Sequence, residues 1–155
     1  MRAALLLLLA AAPAGRATIG VYQGWGAFRD ASPARCFAIA RPVAASGHGG
    51  GFASVATWPE RRLRASLYVR LSRARNRSAP VTLSIGERRF TLAAADRDAW
   101  ATDAPSDRAI VDAMRSGRSM SVEGVAADSV PFADVYALGG AATAIDAAVL
   151  ACARR

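Results

Sequence analysis

Two cysteines, a single histidine and a loose run of acids are the side chains with which this 155-residue sequence could do covalent, acid–base or metal chemistry. His48-Gly49-Gly50-Gly51 has the letters of an esterase oxyanion loop. Such a loop works opposite a serine on a Gly-x-Ser-x-Gly elbow, which the chain lacks. A Ser-His-Asp triad would also need His48 to be loop residue and base at once, so a flexible hairpin loop is the plainer reading. Asp96, Asp98, Asp103 and Asp107 bunch before and at the start of a candidate helix. Paired carboxylates cleave glycosides where a cleft also stacks sugar rings, and calcium loops need an EF-hand spacing that these acids do not have. Backbone N–H groups exposed at a helix start account for them more simply. No lysine is present, which removes the P-loop lysine, any Schiff base and the Ser-x-x-Lys pair. The sequence therefore predicts a protein that is not an enzyme and needs neither cofactor nor metal.

Cys36 and Cys152 lie toward the two ends of the chain. In an oxidising compartment such a pair is most simply a disulfide, closing a loop of more than a hundred residues. Two free, buried thiols are the alternative, and metal binding is disfavoured because no Cys-x-x-Cys accompanies the one histidine. All twenty basic residues are arginines, giving a net charge of +8. They are densest at Arg70, Arg73, Arg75 and Arg77, with Arg61, Arg62 and Arg64 just before. Two readings stand: solvated loops and strand faces, or a contact with an anionic surface such as lipid headgroups or polysaccharide. No aromatic ladder interleaves with these arginines, so no nucleic-acid partner is expected. Trp25, Trp58 and Trp100 read as core or inter-sheet packing, with Trp58, beside Pro59, kept as a binding candidate. Asn76-Arg77-Ser78 fits a glycosylation sequon by its letters only, since the leader and composition look bacterial.

The elements that must position these residues follow a leader. Arg2 precedes an apolar run at residues 3–12 that includes Leu5 to Leu9, then small residues. This is the pattern of a signal peptide over residues 1–17, cleaved after Ala14 or Ala17 and too short to span a membrane. Cleavage removes Arg2, and Arg16 with the later site, leaving a surplus of six or seven positive charges. Residues 18–155 then form a single domain. Residues 18–35 read as rich in glycine and turns, anchored by Trp25. Strands are expected near 36–43, 52–58, 67–71, 81–85, 90–92, 119–125 and 132–138, where apolar residues alternate with polar or small ones. Gly86-Glu87 marks a type II′ hairpin. Residues 105–115 change to a helical period, with Asp103 and Asp107 at the start and Arg115 and Gly117 at the end. Residues 141–153 form a second, alanine-rich helix. The fold class is mainly β: a β-sandwich or partly open barrel of about seven strands with two short helices.

Several landmarks occur in order: Gly24-Trp25-Gly26, a strand led by Cys36, the run from Ala109 to Gly117 with Met120 and Val122, and Tyr136-Ala137-Leu138-Gly139-Gly140 before the last helix. In these the chain resembles the invasion-associated locus B family of proteobacterial envelope proteins. Family members often carry a cysteine soon after the tryptophan, where this chain has Phe28 and Arg29, and an aromatic where it has Ala141. The resemblance implies a periplasmic or outer-membrane-associated β-sandwich with no assigned activity. The expected function is a non-enzymatic envelope protein that binds another protein or the anionic envelope surface. A rival from a different class is a periplasmic module binding a small ligand, lipid or glycan in a groove between sheets lined by tryptophan and arginine. A hydrolase comes a distant third.

Overall fold

The computed structural model describes residues 15–153. The leader run expected at residues 3–12 lies outside them. The described chain forms eleven strands and two helices in the order β1 (Ala17–Tyr22), β2 (Trp25–Asp30), β3 (Arg35–Ala40), β4 (Ala44–Ala45), β5 (Phe52–Trp58), β6 (Leu63–Arg70), β7 (Val81–Ile85), β8 (Arg88–Ala95), β9 (Asp98–Trp100), α1 (Ala104–Ser116), β10 (Ser119–Val125), β11 (Pro131–Ala137) and α2 (Ala141–Ala153). A 3₁₀ turn, Pro59–Arg61, joins β5 to β6.

All seven expected strands and both helices are present. The count and the architecture need correction: four further strands occur, and all eleven belong to one open antiparallel sheet, ordered β1-β2-β3-β5-β6-β9-β8-β7-β10-β11-β4. Among the described residues there is no second sheet to make a sandwich. The long strand β8 explains the single sheet, because its first half pairs with β7 and its last three residues pair with β9. One strand thus belongs to both halves, and the sheet bends around it. The bend brings β2 and β11, far apart in the sheet order, close enough for the Trp25 indole N–H to donate to the Ala137 carbonyl at 2.9 Å. The sheet curls without closing, since neither end strand pairs with the other.

Strand sequences alternate as a half-buried sheet requires. In β7, Val81, Leu83 and Ile85 are buried while Thr82 and Ser84 are less so. Gly86 has φ +58°, and Glu87 does not share the positive φ, as expected of the type II′ turn between β7 and β8. Inside the curl lie Trp25, Leu67, Leu83, Val122 and Tyr136, with Ile110 and Met114 from α1 and Ile145 from α2.

Each helix is fixed by chemistry at its ends. Asp103 caps α1 by accepting the Ser106 N–H at 2.7 Å. Asp107, one turn on, accepts the Leu67 N–H of β6 at 2.7 Å. That donor lies just past the last β9 pair, at Tyr68, so the carboxylate takes the partner's place where the neighbouring strand runs out. Helix α2 packs on β1, β2, β3 and β5, and its buried alanines, 141, 144 and 148, let helix and sheet approach closely. Its start is fixed by Gly140, at φ +86°, where a side chain would collide with the Tyr22 carbonyl. Its last turn is tied to β3 by the Cys36–Cys152 disulfide, with Cα atoms 5.8 Å apart.

Candidate functional site

Because α2 covers the inner face of β1, β2, β3 and β5, the outer face of these strands is left open. Alternation decides what it carries. Outward positions are Phe28 on β2, Arg35, Phe37 and Ile39 on β3, and Phe52, Ser54, Ala56 and Trp58 on β5. Tyr68 and Arg70 on β6 and Trp100 on β9 continue the face. Six of the chain's eleven aromatic residues therefore lie on a face that an antiparallel sheet ordinarily gives to polar residues.

The register shapes this face into a groove. Ile39, Ser54, Tyr68 and Trp100 are successive cross-strand partners, and Phe37, Ala56 and Ser66 form the next row. Small side chains thus occupy the middle strands, with large ones at either side. The result is a cleft of about 640 Å³ floored by Ser54, Ala56 and Ser66, walled by Phe37 and Ile39 and by Tyr68 and Trp100, and ended by Trp58 and Arg61.

Arginines gather at the Trp58 end. The Arg35 guanidinium lies 4.5 Å from the Phe37 ring centre and 5.1 Å from that of Trp58, while Arg61 lies 5.0 Å from the Trp58 ring centre. Arg16 sits 4.9 Å from Phe37. Such stacks contribute about 0.5–1 kcal/mol each when exposed, and they hold the guanidinium planes against the groove. Asp30 binds Arg16 at 2.9 Å and Arg35 at 2.8 Å, and these contacts, Arg16's foremost, hold its carboxyl below the usual carboxylate range. Arg61 makes no ion pair among the described residues. Its position comes from Pro59, which ends β5 and starts the 3₁₀ turn; Arg62 closes the turn at φ +55° by donating its N–H to the Pro59 carbonyl. At the other end, Asp98 accepts from the Tyr68 hydroxyl and from Arg70, both at 2.6 Å. These bonds depress its pKa, while burial and the neighbouring carboxylate raise that of Tyr68. One end of the groove is thus charge-balanced and the other has cationic charge to spare.

The arginines singled out in sequence separate. Arg70 is paired with Asp98 at the groove's end. Arg73 is paired with Asp128, and Arg75 donates to the carbonyls of Asn76, Arg77 and Ala79, closing its own loop. Arg77 lends that loop its carbonyl. The run at 70–77 therefore does not build one surface. Trp58, by contrast, sits inside the groove. Of the tryptophans expected to pack internally, Trp25 is fully buried, whereas Trp58 is half-buried on the outer face and Trp100 is 40% exposed there. Arg16, Arg35, Phe37, Tyr68 and Trp100 were not apparent as site residues in the sequence. Their signal is an aromatic or arginine at successive outward positions, which can be read only once the inward positions are known.

The remaining candidates for chemistry disperse. Asp96 turns the chain between β8 and β9 at φ +48°, Asp98 pairs with Arg70, and Asp103 and Asp107 hold α1. Among the described residues no three His, Cys, Asp or Glu side chains converge as a metal site. The Gly49 carbonyl accepts from Arg97, which ties the loop after His48 to the turn between β8 and β9.

No protein-family model matches the chain, and no curated protein matches its sequence. Among solved structures, the crystal structure of invasion associated protein B from Bartonella henselae is similar over 90% of this chain and 99% of that one, with a TM-score of 0.60 and 16% sequence identity. The chain has that fold, and the resemblance carried by the sequence landmarks is borne out in three dimensions.

Proposed function

We propose that a chain with this fold, a signal-peptide-like start and a disulfide closing its domain is an exported, non-catalytic protein of a bacterial envelope. It works by binding an envelope protein or the anionic envelope surface, in the periplasm or at the outer membrane. The observation that carries this reading is the outward arginine–aromatic face. Burying apolar rings is the main stabilising term in folding, so a face that leaves Trp100 exposed and Trp58 half-buried against Arg61, which makes no ion pair among the described residues, suits a partner rather than the core. The bridge fits an oxidising compartment.

The test is co-sedimentation of the exported protein with envelopes of its native host. Trp100→Ala and Arg61→Gln are expected to weaken sedimentation severalfold while leaving the melting temperature within a few degrees. Undiminished sedimentation of both variants would refute the assignment of the face. Saturable hydrolysis of an ester, peptide or glycan that His48→Ala abolishes would refute the non-catalytic reading. A second reading, a module for a small ligand, draws support from the concavity of the groove, although it lies on one sheet face rather than between two sheets. A ligand that raises the melting temperature in a screen of lipids and glycans would favour it.

A further inference from the structure

We infer that the groove binds an acidic glycan, a sugar ring lying along the wall made by Tyr68 and Trp100 and a carboxylate or phosphate group meeting the guanidinium of Arg61. The inference rests on the proposed binding role of this face and names what the face takes. Four features carry it.

The accessible wall is aromatic: Tyr68 on β6 and Trp100 on β9, 40% exposed, while Phe37 opposite is almost fully covered, with Arg16 and Arg35 over its ring. Flat rings offer a stacking surface to the C–H faces of a sugar ring, which are its least polar part. The floor is small, Ser54, Ala56 and Ser66, so there is depth for a ring to settle instead of a dome that would repel one. From β3 to β9 is three strand spacings, about 14 Å between strand axes, which leaves width for a sugar ring between the walls. The charge lies at one end: Arg16 and Arg35 share Asp30, and Arg61 makes no ion pair among the described residues. A planar guanidinium held by stacking on Trp58 keeps its fork free for two parallel hydrogen bonds to a carboxylate or phosphate.

Two rival occupants fit less well. A bilayer surface needs apolar tips that project together, yet the large exposed apolar residues, Val21, Val43, Leu63, Trp100, Val130 and Leu150, are scattered, and only Trp100 lines the groove. A peptide lying across the face would find few main-chain partners, because β5 and β6 each pair with a strand on both sides there.

Titration of the disulfide-bonded protein with tetragalacturonate, followed by tryptophan emission, tests this directly. Saturable quenching or a spectral shift is expected, about tenfold weaker with neutral cellotetraose, and weakened about tenfold by Arg61→Gln. Trp100→Ala is expected to weaken binding measured by calorimetry, and raised salt to lower affinity in the native protein. Absence of saturable binding, equal affinity for the neutral sugar, or undiminished affinity in both variants would overturn the proposal. Binding to phosphatidylglycerol vesicles without binding to the glycan would overturn it as well. If envelope sedimentation still depends on Trp100 while no glycan binds, the binding role of the face stands and the glycan assignment falls. Loss of both dependences removes the role itself.

Discussion

Breaking the Cys36–Cys152 bridge is expected to lower thermal stability by an amount that follows from its span. The bridge joins residues 116 positions apart, so it constrains nearly the whole unfolded domain. Loop-closure entropy for that length corresponds to about 5 kcal/mol at room temperature, and native bridges in small secreted domains return about 2–5 kcal/mol when removed. At about 2.1 cal/mol/K per residue the unfolding entropy is close to 0.3 kcal/mol/K, which converts that range to a fall in Tm of roughly 7–17 °C. The assay is calorimetry of the oxidised protein, of the same protein reduced in denaturant and refolded, and of Cys36→Ala/Cys152→Ala. The reduced wild type is the cleaner comparison, since it changes no side-chain volume at the fully buried Cys36. A fall in Tm below about 3 °C in both reduced and double-mutant protein would refute the reasoning. The packing of α2 against β1, β2, β3 and β5 would then suffice without the tether.

Acid should destabilise the fold. Asp30, Asp98, Asp103, Asp128 and Asp146 are held below the ordinary carboxylate value of 3.8 by hydrogen bonds, with Arg16, Tyr68, Ser106, the Val130 N–H and Arg115 respectively, so their contributions are present above 3.8 and lost as pH falls through their lower folded values. Asp107 runs the other way: burial raises its pKa, so its contribution is full below 3.8 and declines as pH rises through its folded value. Five groups against one predict a Tm that falls below about pH 4, and a Tm that climbs steadily from pH 4 to pH 2 would contradict the assignment. Asp107→Ala should cost about 1–3 kcal/mol in denaturant melts, because the Leu67 N–H loses its partner, and a loss under 0.5 kcal/mol would show that water replaces it. Mass spectrometry of the exported chain should find Gly15 first. Cutting after Ala17 would remove Arg16, its contacts to Asp30 and Phe37, and the Ala17–Arg29 pair that opens β1; a mature chain beginning at Thr18 would show that these contacts are dispensable.

Elements with a full period of alternation or helical spacing were legible in the sequence, and those without one were not. Residues 52–58 and 141–153 were expected at the bounds the structure gives them, because each carries enough apolar residues at one spacing to declare a face. Strands β1 and β2 were read as turns. Gly20, Gly26 and the turn at Gln23-Gly24 suppress local propensity, and the strands are held by partners distant in sequence: α2, and the Ala137 carbonyl that receives the Trp25 indole. Strand β9 is only three residues long and sits among the acids that had been explained by the helix start. Missing these strands, and the two-residue β4, hid more than a count. With seven strands, two sheets facing one another was a reasonable arrangement; with β9 filling the place between β6 and β8, the sheet is continuous and bends instead.

The groove was illegible for a related reason. Its members come from positions 16 to 100, and none belongs to a motif. Arg70, Arg73, Arg75 and Arg77 drew attention because they are close in sequence, yet the fold directs Arg70 and Arg73 to the distant carboxylates Asp98 and Asp128 and Arg75 to carbonyls of its own loop. Trp58 was noticed for its place beside Pro59. What makes it functional in prospect is Arg35, its stacking neighbour from a strand twenty residues away, and Ala56, whose small size leaves the space in front of it. A cross-strand row is a property of register, and register depends on where every turn falls. The same dependence gives the groove its vulnerability: a one-residue slip of β5 against β3 would turn Trp58 inward and Val55 outward, exchanging the binding face for a second core face. The bridge from Cys36 to α2 opposes that slip, because Cys36 is buried on the inward side of β3 between Arg35 and Phe37. The tether that stabilises the domain therefore also holds the strand whose other side is the wall of the groove.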